Sequence, residues 1–157
     1  MQPSAGHAAI AAVRPVMEAW LERRRGALSY RLTQVLSGHG CFGKYLCRIG
    51  REEDARCHHC GDCPEDTALH TLAECPAWAD HRRVLIEAVE VESLSLPALV
   101  QSMVGSESAW DAAASFCEAV MLAKEVAERE REANTSLPHR RRRTGRRRAV
   151  IADLRPP

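Results

Sequence analysis

Four cysteine and histidine residues in one short stretch constrain the fold of this chain more than any other feature. Cys57 and Cys60 form a Cys-x2-Cys pair, and His70 and Cys75 follow it as a His-x4-Cys pair. Thiolate and imidazole donors at such spacing are typical of a tetrahedral zinc site of CCHC type. Because protein side chains supply all four donors, no position remains for an activated water, so the predicted site is structural rather than catalytic.

Four further residues compete as metal donors, namely His58, His59 and Cys63 in this loop and His81 after it. His58 and His59 fall inside the Cys-x2-Cys turn, so we expect their side chains to point away from the metal. Cys63 is the main alternative ligand, because Cys60 and Cys63 form a second Cys-x2-Cys pair. The predicted cofactor is a structural Zn²⁺ ion, and its predicted ligands are Cys57, Cys60, His70 and Cys75.

The remaining cysteines bear on the cellular compartment. The chain has seven cysteines, an odd number, and Cys41 and Cys47 lack a partner pair at fixed spacing, so we interpret them as small buried apolar residues. We find neither a basic start followed by an apolar signal segment nor an apolar run of about 18 residues. These features favour an intracellular protein, nuclear or alternatively cytoplasmic, with metal-bound cysteines rather than disulfides and with no membrane partner.

Apolar residues recur at helical spacing on both sides of the loop, and no alternating strand pattern of useful length occurs. We therefore predict an all-α fold, a small helical domain built around one zinc knuckle. The predicted layout is a disordered lead-in at 1–9, a helical segment at 10–56, the zinc loop at 57–76, a second helical segment at 77–133 and a disordered arginine-rich tail at 134–157.

Helix signals predict where several elements begin and end. The first helix carries Pro15, so it either begins near Arg14 or is kinked there. Asp66 and Thr67 are predicted to form the N-cap of the short helix that carries His70, with Asp66 able to accept its first N–H groups. Glycines such as Gly38 are predicted to end the helices before the loop.

The longest predicted helix runs from about Ser106 to Ala133. Its far end is rich in charge, with Lys124–Glu128 and Glu125–Arg129 spaced four residues apart. Such pairs stabilise an isolated helix. We therefore expect this end to be solvated and self-supporting.

Two basic segments are candidates for contact with a polyanion. One is predicted to form the last turn of the first helix, and the other follows the longest helix. A solvated helix end is the alternative for the first segment, and a solvated tail or nuclear import signal for the second. The predicted nucleic-acid-binding residues, including three at the rim of the metal loop, are Arg23, Arg24, Arg25, Arg56, His58, His59, Arg140, Arg141, Arg142, Arg143, Arg146, Arg147 and Arg148.

Catalytic motifs are missing from the sequence. It has no Gly-rich phosphate loop, no Gly-x-Ser-x-Gly, no His-Glu-x-x-His and no pair of adjacent aspartates in an apolar strand of the kind that holds catalytic metals. On residue chemistry the chain is not a complete enzyme, and we expect no small-molecule substrate.

Several short sequence motifs around the metal loop resemble those of a known family. Over about residues 20–132 it is similar to the C-terminal region of the Pol polyprotein of non-LTR retrotransposons, type-1 and jockey-like. The resemblance implies that the zinc ligands are the four residues predicted above. The motifs that carry it are YRLTQVLSGHGCFGKYL at 30–46, RIG at 48–50, DTA at 66–68, HTL at 70–72, ECPAW at 74–78 and RR at 82–83.

The resemblance also implies a function. The family's polyprotein carries an endonuclease and a reverse transcriptase upstream of this segment, so enzymatic activity would belong to the parent and this chain would be a fragment or decayed copy. The segment is expected to bind element RNA or target DNA during target-primed reverse transcription. The alternative is a structural or protein-interaction domain that packs on the polymerase, so the expected partners are nucleic acid and the rest of the polyprotein.

Overall fold

The computed structural model describes residues 5–134 of the chain. Within this range the fold consists of α-helices and short helical turns without a β-strand, which confirms the all-α prediction. None of these helices combines the length and the apolar character needed to cross a membrane. The α-helices are α1 (Ala5–Val13), α2 (Met17–Glu22), α3 (Tyr30–Ser37), α4 (Gly43–Arg48), α5 (Ala79–Val89), α6 (Leu96–Gly105) and α7 (Glu107–Asn134).

The first helix begins earlier than predicted and is interrupted at its proline. α1 starts at Ala5, so residues 5–9, assigned from the sequence to a disordered lead-in, are helical. Pro15 lies in a 3₁₀ turn at Arg14–Val16 that separates α1 from α2. Proline lacks the N–H that an α-helix needs at that point, and of the two predicted outcomes the kink is the one observed.

Local capping signals set two of the other helix boundaries. The N–H of Leu32 donates to the Ser29 hydroxyl at the start of α3. α3 ends at Gly38, whose φ of 71° is in the left-handed region and whose N–H donates to the Gln34 carbonyl. Both are standard solutions for the unpaired backbone groups of a helix end. The predicted stop at Gly38 is confirmed.

α7 is the central helix of the fold. α3, α5 and α6 pack against it, and α1 packs against α6 and α3. Burial of each larger apolar side chain in this interior contributes about 1.5–3 kcal/mol. The largest fully buried apolar side chains are Leu32, Val35, Phe42, Leu72, Leu85, Leu99, Val100, Met103, Val120 and Met121.

The C-terminal half of α7 was predicted to be solvated, but several of its charged side chains are buried. Lys124, Glu125 and Glu128 are buried, and they pair with residues of other segments rather than with one another along the helix. The sequence shows only their i,i+4 spacing and not their partners across the fold. The pairs are Lys124–Asp66 at 2.7 Å, which is buried on both sides, and Glu125–Arg31 at 2.8 Å and Glu128–Arg51 at 2.6 Å, whose arginines are half-buried.

Gly43, the first residue of α4, lies against the backbone of the segment that leads into the metal loop. A Cβ atom at this position would lie 2.5 Å from the Arg56 carbonyl oxygen and 2.7 Å from the Ala55 carbonyl oxygen. Backbone atoms cannot move aside as a flexible side chain can, so we expect Gly43→Ala to lower the free energy of unfolding by about 1–3 kcal/mol. Urea unfolding checks this against Gly105→Ala, where the added Cβ meets nothing within 4 Å. Equal stability of the two variants would contradict the prediction.

Candidate metal centre

The second half of the metal loop forms a single π turn at His70–Glu74. The turn closes when the N–H of Cys75 donates to the His70 carbonyl at 2.7 Å. In a regular α-helix residues five apart point about 140° away from each other. The wider π turn brings the two side chains round to the same side, which is why a His-x4-Cys spacing can supply two donors to one ion.

Of the predicted Asp66–Thr67 cap, Thr67 caps this turn, whereas the Asp66 carboxylate bonds elsewhere in the fold. The N–H of His70 donates to the Thr67 hydroxyl at 3.0 Å. Asp66 is 3% exposed, and its carboxylate accepts hydrogen bonds from the Gly43 N–H at 3.0 Å and from the Thr71 hydroxyl at 3.3 Å. Because the Lys124 ammonium pairs with the same carboxylate, Asp66 joins α4, the π turn and α7.

The first half of the loop is a backbone-closed turn. The N–H of Cys57 donates to the Cys63 carbonyl at 2.9 Å, and the N–H of Gly61 donates to the Cys57 carbonyl at 3.1 Å. These bonds hold Cys57 and Cys60 on one tight loop.

The structure brings all four predicted ligands together. One donor atom from each of Cys57, Cys60, His70 and Cys75 lies within 4.8 Å of the other three. The Cys57 and Cys75 sulfurs are 3.9 Å apart, and the Cys60 sulfur is 3.5 Å from His70 Nε2. Three of the residues are buried and Cys60 is half-buried. This group of soft donors could hold one metal ion.

The competing donors lie elsewhere. The Cys63 thiol donates to the Glu65 carbonyl at 3.2 Å and is outside the four-residue cluster. Cys41 and Cys47, predicted to be buried, are only half-buried. Burial and the nearby Glu128 carboxylate raise the pKa of the Cys41 thiol to about 11.

The electrostatics of the thiols differ within the cluster. Burial raises the pKa of Cys75 to about 12 and also raises the pKa of Cys57. For Cys60 burial again raises the pKa, but hydrogen bonds from the backbone N–H groups of Asp62 and Cys63, together with those to Cys57 and His70, lower the pKa to about 7. Metals bind cysteine as thiolate, so a cation at this site has to displace the protons of the two buried thiols.

The predicted rim residues make contacts within the fold. The His59 ring packs on Trp78 with a centroid distance of 4.8 Å, and burial lowers its pKa to about 4, so it carries no charge at neutral pH. His58 Nε2 lies 3.8 Å from the Glu52 carboxylate, and Arg56 lies 3.5 Å from Asp54. Both histidines lie outside the donor cluster, as expected.

The first arginine segment is placed differently from the prediction. α2 ends at Glu22, so the three arginines follow the helix instead of forming its last turn. The Arg23 guanidinium lies 4.5 Å from the ring centre of Trp20 and 4.8 Å from that of Trp110. Cation–π contacts of this kind hold Arg23 in the fold, whereas Arg24 and Arg25 are exposed. The second segment, 140–148, lies outside the described residues.

Two residues next to the π turn were not predicted as part of the site. The Glu74 carboxylate lies 3.6 Å from His70 Nδ1, the ring nitrogen that faces away from the donor cluster. Arg82 of α5 donates to three backbone carbonyls of the turn, those of Thr71, Leu72 and Cys75. The i,i+4 spacing of His70 and Glu74 was visible in the sequence, but nothing in the sequence indicated the contacts of Arg82.

Comparison with known proteins supports part of the family resemblance. A segment of 57 residues is 42% identical to a retrovirus-related Pol polyprotein from type-1 retrotransposable element R1 4 of Nasonia vitripennis. Over that segment the chain is similar to a retroelement Pol polyprotein. The match covers 36% of this chain and only 14% of the relative. No family model matches the chain, and no solved structure matches it.

Proposed function

We propose that this chain is a helical module, stabilised by a structural zinc ion, from the C-terminal region of a retroelement Pol polyprotein. We further propose that it binds nucleic acid beside the polymerase. The convergence of three thiols and one imidazole at the centre of the loop carries the proposal. The partners would be element RNA or target DNA and the remainder of the polyprotein, which makes a nuclear location the expected one.

Zinc is the ion that this donor set fits best. Tetrahedral zinc with Zn–S near 2.3 Å and Zn–N near 2.0 Å separates two ligand sulfurs by about 3.8 Å and a sulfur from a nitrogen by about 3.5 Å. The Cys57–Cys75 sulfur distance is 3.9 Å and the distance from the Cys60 sulfur to His70 Nε2 is 3.5 Å, and all four donors lie within 4.8 Å of one another. A bound zinc would crosslink the knuckle turn to the π turn and contribute directly to folding.

The distribution of charge in the sequence supports nucleic-acid binding mainly by the tail at 135–157. Residues 1–134 contain 14 lysines and arginines against 20 aspartates and glutamates, whereas residues 135–157 contain eight arginines against one aspartate. Within the helical body Arg24 and Arg25 are exposed, but the net charge of the body disfavours a polyanion. The arginine run at 140–148 supplies the positive charge that phosphate binding needs.

Replacing the seven arginines at 140–148 by serine is expected to lower the affinity for RNA and DNA at least about tenfold at low salt. The slope of log affinity against log salt should also become shallower, by roughly 0.9 for each phosphate of B-DNA that the variant no longer neutralises. Fluorescence anisotropy across a salt series measures both quantities. The double variant Arg24→Ser and Arg25→Ser is the control, and its affinity should fall less. Unchanged affinity in the seven-residue variant would contradict the proposal.

A protein-interaction role is the second candidate, favoured by exposed apolar side chains on the first two helices. Ile10 of α1 and Met17 and Leu21 of α2 are 59%, 42% and 73% exposed. Exposed apolar side chains of this size are suited to packing on another protein surface. If binding to a recombinant reverse transcriptase domain is abolished in Leu21→Glu while nucleic-acid affinity does not depend on the tail, this second function replaces the first.

A further inference from the structure

Arg82 of α5 makes three hydrogen bonds to the backbone of the π turn that carries His70 and Cys75. Its Nε donates to the Leu72 carbonyl at 2.8 Å, and its Nη2 donates to the Cys75 carbonyl at 2.7 Å and to the Thr71 carbonyl at 3.3 Å. The last carbonyls of a helical segment have no partner within it. One planar guanidinium therefore satisfies the end of the turn that presents both His70 and Cys75.

The charge of Arg82 also complements the proposed metal centre. Three thiolates and a neutral imidazole around a divalent cation leave one net negative charge on a largely buried group. A buried net charge is costly unless an opposite charge lies near it. The half-buried Arg82 guanidinium donates to the carbonyl of the ligand residue Cys75 at 2.7 Å. It therefore adds a positive charge beside the complex.

We propose that Arg82 is a positioning residue of the metal centre, which fixes the π turn in its ligating shape and neutralises the charge of the metal complex. The proposal rests on metal binding by the four donors. The residue acts from outside the ligand set, and partners of this kind typically change metal affinity by about 10–100-fold.

Cobalt(II) titration of the full chain, followed by competition with zinc, tests the proposal. Arg82→Gln should bind both metals about 10–100-fold more weakly than the parent chain. It should also shift the d–d absorption bands at saturating cobalt, because the ligand geometry relaxes. Arg82→Lys should regain part of the affinity, since lysine keeps the charge but not the forked donors. Arg83→Gln is the matched control, because Arg83 is exposed and pairs only weakly with Asp80 at 3.7 Å.

A purely structural role for Arg82 predicts a different result. Val100→Ala truncates a fully buried side chain of α6, outside the π turn, and lowers stability through weaker core packing. If the metal affinities of Arg82→Gln and Val100→Ala fall in proportion to their stabilities, with unshifted cobalt bands, the positioning role is wrong. Affinity of Arg82→Gln within about twofold of the parent chain would also overturn it, since removing a residue that supports the ligands has a larger effect. Absence of cobalt and zinc binding in the parent chain would instead overturn the metal centre itself.

Discussion

Replacing Cys75 by alanine is expected to abolish tight metal binding and to unfold the region around the metal loop. Cys75 is fully buried, ends the π turn and supplies one of the four donors. Structural zinc contributes about 10–16 kcal/mol in small zinc modules. The whole stability of a domain is only about 5–15 kcal/mol. Elemental analysis of the purified chain should show no bound zinc, and circular dichroism should show reduced helix content and a lower Tm.

Two other cysteines are matched controls for this variant. Cys63→Ala should retain one zinc ion per chain, because its thiol contacts the Glu65 carbonyl instead of the donor cluster. Cys117→Ala removes a fully buried thiol from α7, so it measures the effect of weaker packing while the metal ligands stay intact. Cys117→Ala should lower the free energy of unfolding by about 0.5–3 kcal/mol, the usual range for a single substitution. A Cys75→Ala chain that still carries one zinc ion would show that the ligand set is wrong.

Replacing Lys124 by methionine is expected to lower the free energy of unfolding by about 3–5 kcal/mol, even with zinc saturating. Lys124 and Asp66 are 2.7 Å apart, and their side chains are 1% and 4% exposed. Removal of the ammonium leaves the Asp66 carboxylate charged and buried, and such a group is costly. The hydrogen bonds from Gly43 and Thr71 to this carboxylate remain. Urea unfolding at fixed zinc concentration measures the decrease.

The exposed pair of Lys44 and Glu65 provides the control. Its atoms are 3.1 Å apart, but the two side chains are 44% and 52% exposed. Lys44→Met should therefore lower the free energy of unfolding by no more than about 1 kcal/mol. A Lys124→Met chain as stable as Lys44→Met would show that the buried pair does not hold α7 to the metal loop.

The spacing of ligands and the local helix signals made much of this structure predictable. Cys-x2-Cys and His-x4-Cys are short-range patterns, and the backbone turns that join their members are set by nearby residues. The glycine stop at Gly38 is likewise local and was predicted. Local signals did not fix every boundary, because α2 ends at Glu22, before the arginines predicted for its last turn.

Features that depend on distant partners were not predicted. The four-residue spacing of Lys124 and Glu128 is compatible with a solvated helix as well as with a buried one. Only the folded structure places Asp66 beside Lys124 and Arg51 beside Glu128. Asp66 was assigned to the helix cap for the same reason, since its sequence position suited a cap while its carboxylate bonds across the fold. The arginines of the first basic segment look alike in sequence, but the two tryptophan rings engage Arg23.

Zinc K-edge X-ray absorption of the purified full chain tests the proposed CCHC centre itself. We expect one zinc ion per chain with three sulfur ligands near 2.3 Å and one nitrogen ligand near 2.0 Å. The spectrum should be unchanged in Cys63→Ala, and its nitrogen contribution should disappear in His70→Cys. Four sulfur ligands in the parent chain would place Cys63 in the ligand set in place of His70. That result, or a chain without zinc, would show that the proposed centre is wrong.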